Sequence, residues 1–315
     1  MGVLYAALFS LPVLATALDL LFGDPQRLPH PVRLIGFLLE YLEPRARAWG
    51  LPLRVAGGIC VALTAGLSAG LVFLLVHIPL VGLLCAVYFA YAGLALGQLL
   101  KEGRKAAWLI ESGDLAEARQ AVGWLVSRDT TSMEADELRR TLAETLSENM
   151  SDGFVCPLFY LCIGGPVALW AYKAVSTMDS MWGYRTERYN ELGWACARMD
   201  DVLAYIPARL TMLFLLIGGA CMGLPWRLAW AHTGRDARQM ESPNAGWPMA
   251  ACAWLLGAGM GGTAVYFGVA KQKPQLGPRE HPWSPEKLKN LFKLLLIAGI
   301  IDLFCLQLLF SLLSQ

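Results

Sequence analysis

The amino-acid sequence predicts an all-α, polytopic integral membrane protein, a bundle of apolar helices with one helical insertion outside the bilayer. Three observations predict it. Of the 315 residues 56% are apolar, and mean hydropathy is +0.46. Charged residues make up 16%, whereas a soluble domain carries about 25%. Stretches 3–22, 52–76, 79–99, 153–176, 202–222, 248–270 and 291–313 each approach the length of about 20 apolar residues that a spanning helix needs. The chain is read as one membrane domain, 1–315, that includes the polar insertion 100–152. A net charge of +1 with no basic face argues against a nucleic-acid partner. The eight cysteines lie in or beside apolar stretches without a Cys-x-x-Cys pair, so they read as small core residues rather than disulfides or a zinc site.

Segment 3–22 lacks a basic n-region and a small-residue cleavage site, and reads as a retained helix rather than a signal peptide. At its end Asp19, Asp24, His30 and Arg33 crowd into a loop stiffened by Pro25, Pro29 and Pro31. Such a loop can hold anionic groups or a metal beside a substrate lying on the bilayer. Segments 52–76 and 79–99 are separated by His77-Ile78 alone and form a tight hairpin. Gly66-x-x-x-Gly70 and Gly93-x-x-x-Gly97 within them have the spacing that lets helices approach closely.

In the insertion, Asp114-Leu-Ala-Glu117 and Thr131-Ser-Met-Glu134 are candidate capping boxes. A helix is expected from about 133 to 150, with Leu138, Leu142 and Leu146 on one face. Glu137, Glu144 and Glu148 fall on the opposite face and Asp152 continues it. This is either a solvated face with an Arg140–Glu144 pair or a cluster that holds an outside cation. Segment 153–176 contains Pro157, Gly164-Gly165-Pro166 and Lys173, and so should break. If it dips in and returns, loop Lys and Arg concentrate on one face far more strongly than if it crosses, so the positive-inside rule prefers the re-entrant form. That form places 177–201 beside 19–36 and 128–152 and sends 223–245 to the far side. A broken helix bearing Lys173 also fits a transporter, but no internal repeat supports one.

Four blocks carry a resemblance. They are Phe22-Gly-Asp-Pro…Pro29-His-Pro-Val-Arg33; residues 127–160, with Ser127-Arg-Asp-Thr and Glu144-Thr-Leu-Ser-Glu-Asn-Met-Ser-Asp152-Gly-Phe; residues 173–209, with Met181-Trp-Gly-Tyr-Arg-Thr-Glu-Arg-Tyr189 and Ala197-Arg-Met-Asp-Asp201; and residues 235–248, with Glu241-Ser-Pro-Asn-Ala-Gly-Trp-Pro248. In this order, from about residue 15 to 265, they resemble the CbiB/CobD family of cobalamin biosynthesis, adenosylcobinamide-phosphate synthase. Ala204 departs from the pattern, because asparagine is usual there. AmpE, a membrane protein of β-lactamase regulation, is a distant relative of that family and gives the alternative of a non-catalytic sensor. It would be expected to lose motif charges that are kept here.

The resemblance implies amide-bond formation between adenosylcobyric acid and (R)-1-aminopropan-2-ol phosphate, with ATP and Mg²⁺, in the bacterial cytoplasmic membrane with the active site facing the cytoplasm. Phosphorylating the carboxylate gives it a good leaving group. It leaves open a homo-oligomer or an association with other late corrinoid-pathway enzymes. No Walker-type loop is present, so phosphates would need metals and guanidinium groups. Arg33, Arg128, Asp129, Asn149, Tyr184, Arg188 and Asn244 are the candidates for substrate and phosphate binding, while Arg185 reads as a snorkelling residue. Asp19, Asp24, Glu148, Asp152, Asp179, Asp200 and Asp201 are the candidate oxygen ligands for Mg²⁺, with one of the pair Asp200-Asp201 alternatively a helix cap. His30, Glu144 and Lys173 are the candidate catalytic groups. His30 is either a general base for the amine or a loop-fixing hydrogen-bonding residue. The turn chemistry of Ser242-Pro-Asn244 fits a rigid turn or an amide contact to a corrin side chain. His77, His232 and His281 have no motif context.

Overall fold

The computed structural model describes residues 2–24, 30–266, 268–278 and 281–313. Pro25 and Pro29, on which the stiff loop was expected to turn, lie outside the described residues. The chain folds as two compact units. Among the described residues four helical runs are long and apolar enough to cross a membrane, namely Leu53–Val76, Gly82–Ser112, Ala135–Trp182 and Pro285–Phe310. The pair Trp194–Leu203 and Tyr205–Cys221 passes the same test only when the two helices are counted together as one span. The predominantly helical membrane architecture expected from composition is the one found, with one two-stranded hairpin added.

The first unit takes Met1–Ala95, Cys156–Ala204 and Cys305–Gln315. It contains α1 (Gly2–Phe22), α2 (Pro31–Ala48), α3 (Leu53–Val76), α4 (Gly82–Ala92), α8 (Cys156–Trp182) and α9 (Trp194–Leu203). α2 begins as its sequence dictates, with His30 as N-cap and Pro31 at the first helical position, where a missing N–H is harmless. The tight turn between α3 and α4 is present, with Leu80 in a left-handed conformation. α3 packs on α8, and Trp170 of α8 donates its indole N–H to the Phe89 carbonyl at 2.8 Å. Gly93 allows this approach: a Cβ there would lie 2.2 Å from Leu169. Gly66 and Gly70 have nothing within 4 Å of such a Cβ, so the packing expected of that pair is not made among the described residues. The α8 helix is broken at Gly164 and Gly165, as the Gly-Gly-Pro run predicts. Gly165 has φ 63° and ψ −160°, a conformation that only glycine adopts readily. Ala204 is buried in an apolar cluster with Cys156 and Tyr172, where a methyl group suits the surroundings.

The second unit takes Leu96–Val155 and Tyr205–Phe304. It contains α5 (Leu96–Ser112), α6 (Leu115–Gly123), α7 (Ala135–Asn149), a π-helical turn (Met150–Val155), α10 (Tyr205–Cys221), α11 (Trp226–Ala237), α12 (Gly246–Leu256), strands β1 (Met260–Tyr266) and β2 (Val269–Leu276), and most of α13 (Pro285–Leu313). Asp114 caps α6, accepting from the Glu117 N–H at 3.0 Å. The next box lies one turn later than expected: Glu134 is the N-cap and donates its N–H to Glu137 at 3.2 Å. Thr131 instead donates its N–H and hydroxyl to Asp129, at 2.9 and 2.7 Å. Leu138, Leu142 and Leu146 are fully buried, as their spacing predicts.

Segment 248–270 is not a membrane span. α12 has 11 residues and stops at Gly257, in a left-handed conformation. The chain then enters an antiparallel hairpin with an irregularity between Met260 and Gly262. The glycine run decides this. Gly261 and Gly262 both have φ +91°, and a Cβ on Gly261 would lie 2.0 Å from the Pro274 carbonyl oxygen.

Candidate functional site

The polar residues of the resembling blocks fall into several separate groups, some in each unit. In the second unit one is centred on Arg128. The loop that carries it is tied to the hairpin by the Asp129 N–H, which donates to the Val265 carbonyl at 2.9 Å. Its guanidinium meets the Glu144 carboxylate at 2.7 Å, with side chains 6% and 1% exposed. The other Glu144 oxygen accepts the Gly261 N–H at 2.7 Å. Tyr266 of β1 lies under both Arg128 and Lys273, with centroid distances of 5.9 and 5.2 Å. Glu148, one turn beyond Glu144, is within electrostatic reach of Lys273 and Arg128. Burial pulls the Arg128 guanidinium down, but Glu144, Tyr266 and Glu148 together hold it above its ordinary value.

This geometry corrects two expectations. Glu144 is not on a solvated face and does not pair with Arg140, which reaches Glu137 at 4.0 Å. One Glu144 oxygen lies against the Arg128 guanidinium and the other accepts the Gly261 N–H, so the carboxylate is held between the loop and the hairpin. Asn149 donates its amide to Thr145, at 2.9 Å to the carbonyl and 3.0 Å to the hydroxyl. Asp152 is half-buried in the π-helical turn, a geometry that is frequent at functional sites. Exposed Asp129 is held below the usual carboxylate range by its hydrogen bonds from Thr131.

Asn244 of the second unit sits in a built turn. Ser242 Oγ accepts from the Asn244 and Ala245 N–H groups at 3.3 Å. Arg209 donates to Asn244 Oδ1 at 3.2 Å and stacks on Tyr205, 3.4 Å from the ring centroid. The rigid-turn alternative is the one the contacts describe.

In the first unit, His30 lies 3.7 Å from Asp24 and accepts the Val32 N–H on Nδ1 at 3.3 Å. Burial is the largest influence on its imidazole, and Lys173 and Arg33 add to it. Against Asp24 they leave the imidazole below its ordinary value of 6.5. The ring is therefore neutral near pH 7, but the lone pair of Nδ1 already caps α2. The loop-fixing alternative is the one the contacts describe. Lys173 is half-buried on α8 and Arg33 is exposed on the first turn of α2. Asp19 is buried in α1 and Asp24 is exposed.

Arg188, an expected phosphate ligand, is engaged elsewhere. It grips Glu43 through two bonds of 2.8 Å, and the Tyr189 hydroxyl donates to the same carboxylate at 3.0 Å. Arg47 joins from one turn along α2 at 3.2 Å and reaches the Arg188 carbonyl. The clamp ties the segment after α8 to α2. Tyr184 is half-buried at its start.

Asp179, near the end of α8, is within electrostatic range of Asp201. Gly183 must be glycine beside it, because a Cβ would lie 2.0 Å from Asp179 Oδ1. Asp200 and Asp201 lie inside α9, whose N-cap is Gly193, so neither caps that helix. Among the described residues no group of three or more His, Cys, Asp or Glu side chains is placed to hold a metal ion.

Sequence reasoning missed Glu43, Tyr266, Gly261 and Lys273. Glu43-x-x-x-Arg47 was visible as an i,i+4 pair. The hairpin residues were hidden because 248–270 reads as one apolar run.

The comparisons with known proteins agree with one another. The family model described as CobD/Cbib protein matches residues 12–295. Cobalamin biosynthesis protein CobD of Geobacter metallireducens is 45% identical over 270 residues, 84% of each chain. The protein of the same name from Listeria monocytogenes is 39% identical over 291 residues, 90% of this chain and 92% of its own. Cobalamin biosynthesis protein CbiB of Salmonella choleraesuis is 36% identical over 302 residues, 92% of this chain and 93% of its own. No solved structure matches the chain.

Proposed function

The chain belongs to the CobD/CbiB family of cobalamin biosynthesis proteins, and from that premise we propose that it is an amide-forming ligase of the pathway. It joins the propionate carboxylate of adenosylcobyric acid to the amine of (R)-1-aminopropan-2-ol phosphate, with ATP as co-substrate and Mg²⁺ as cofactor. It does so in the cytoplasmic membrane, with its motif loops facing the cytoplasm. The observation that carries the proposal is the Arg128 cluster. A buried guanidinium, an ammonium and two carboxylates are assembled from a resembling block and from the hairpin, where a helical scaffold alone needs none of them.

The residues fit Mg²⁺ in one of two ways and not the other. Among the described residues they offer no closed cage. Mg²⁺ does not require one, since it keeps several waters and is usually held by one or two carboxylates and by substrate phosphates. Glu148 and Asp152, one helical turn apart, are the oxygen donors proposed in the second unit, and Asp179 and Asp201 are those proposed in the first. When bound, Mg²⁺ would neutralise charge on the phosphate oxygens.

The chain's own residues act by binding and orientation. Arg128 presents a planar, always charged fork to phosphate, and Lys273 adds a point charge. Glu144 holds that fork and pins Gly261 of the hairpin to it. In the first unit Lys173 and Arg33 are further cations for the anionic substrates, and His30 keeps the entry to α2 in place.

The test is reconstitution of purified protein with adenosylcobyric acid, MgATP and the phosphorylated or the unphosphorylated amine, followed by mass analysis. Adenosylcobinamide phosphate is the expected product. Product from the unphosphorylated amine alone would move the amine assignment. No product from either amine would favour a non-catalytic relative.

A further inference from the structure

We propose that the groove between α5 and the first turns of α13, both in the second unit, is a binding site for the headgroup and upper acyl chain of an anionic phospholipid. The groove has a volume of about 470 Å³ and is lined by Arg104, Trp108, Glu111, Leu288, Lys289, Phe292 and Lys293 among others. Its floor is apolar: Phe292 and Leu288 are buried, and Arg104 lies over the Phe292 ring at 5.9 Å. Its rim is cationic. Arg104, Lys289 and Lys293 are exposed, and among the described residues none of the three has a carboxylate partner. The only carboxylate in the lining, Glu111, is held by both arms of Arg139 at 2.7 and 2.9 Å. Three cations therefore face an apolar floor without a counter-charge.

The position in the fold favours a lipid over a free phosphate. α5 changes from apolar to charged at Lys101, and α13 changes from charged to apolar at Lys293. The two changes are level with one another, because Gly103 packs on Phe292: a Cβ there would lie 3.0 Å from the ring. This is where spanning helices meet headgroups. Trp108, one turn beyond Arg104 on the polar side of this transition, is 67% exposed, as an interfacial indole should be. Lys101, Arg104, Lys105 and Trp108 recur at i, i+3, i+4 and i+7, so one stripe of α5 presents cations and an aromatic ring together. Basic pockets between spanning helices suit phosphodiester headgroups, and the apolar floor suits the chain attached to one.

The experiment uses the full chain, purified in detergent and offered an equimolar mixture of phosphatidylglycerol and phosphatidylcholine, with bound lipid counted by native mass spectrometry. Phosphatidylglycerol is expected to be retained in preference, by about fivefold per cation. The variant Arg104→Gln/Lys289→Gln/Lys293→Gln should lose at least about tenfold of that preference. The charge-preserving variant Arg104→Lys/Lys289→Arg/Lys293→Arg should keep it, as should Lys271→Gln, a hairpin residue whose ammonium pairs with Glu241. Equal retention by the neutral variant and wild type would overturn the proposal. So would loss in both triple variants, which would make packing rather than charge responsible. Displacement of the lipid by millimolar inorganic phosphate would identify a free-phosphate site instead and overturn it too.

Discussion

In the proposed phosphate site Arg128 has to be held in one orientation, and the buried Glu144 carboxylate holds it at 2.7 Å. Removing one member of a buried pair leaves an uncompensated charge, so Glu144→Gln is expected to destabilise the protein by about 3–5 kcal/mol, measured as thermal unfolding in detergent. Arg128→Lys keeps the charge but not the fork. It should leave a folded protein whose kcat/KM for ATP or for the amine falls at least about tenfold, which corresponds to one charge-assisted hydrogen bond. Wild-type kinetics in folded Arg128→Lys would remove Arg128 from the phosphate site. Glu137, about half exposed, should tolerate Gln with no change in either measurement. His30 gives a pH signature. Burial, with Lys173, outweighs Asp24, so the folded imidazole takes up a proton less readily than the unfolded one. Below the ordinary imidazole range the unfolded chain binds more protons, so the stability present above 6.5 is lost as pH falls. Melting of wild type should drop more steeply between about pH 7 and pH 5 than melting of His30→Asn, which keeps a capping side chain without a titrating one.

At the scale of elements, what was legible in the sequence is what local chemistry decides. The break at Gly164-Gly165-Pro166, the cap at Asp114 and the apolar face of Leu138, Leu142 and Leu146 all follow from residues within one turn of each other. The hairpin was not legible, because 248–270 has the apolar length of a span. Only the left-handed Gly257 and the close approach of Gly261 to Pro274 divert it. The same distance in sequence hid the site: Glu144 finds its partners 16 residues upstream and 117 residues downstream, and no periodicity points there. Gly261→Ala tests the element directly. Its strained φ alone should cost about 1–3 kcal/mol, and the clash with the Pro274 carbonyl should open the hairpin, seen as faster amide exchange over 260–276. The Glu43 clamp is a second such device. Burial pushes that carboxyl up, but Arg188, Tyr189 and Arg47 hold it below the usual carboxylate range. Its contribution is therefore present above about pH 4.5 and lost as pH falls further. Glu43→Gln should loosen 183–193, read as earlier proteolysis within that segment while the remainder of the chain stays protected.

At the scale of the whole molecule, the charge distribution of the loops predicts that 23–51, 100–152 and 177–201 share the cytoplasmic side. Asn190→Cys, in a background in which exposed Cys221 and Cys305 are replaced by serine, should react with a membrane-impermeant maleimide only after the cells are opened. Labelling of intact spheroplasts would overturn the re-entrant arrangement of 153–176.

The interleaving of the two units has a consequence for how the protein is made. Neither unit is a contiguous stretch of chain: the first is interrupted after Ala95 and again after Ala204, and it recovers its last segment only from Cys305 onward. A ribosome delivers residues in order, at about 5–20 per second. The early helices therefore wait in the bilayer while α5 to α7 emerge, and wait again through all of α10 to the hairpin. During those pauses the Leu169 surface of α8 arrives later than the Gly93 surface it will cover. The newborn protein is thus obliged to hold half-built apolar faces against lipid, and a stalled or truncated message leaves both units incomplete at once.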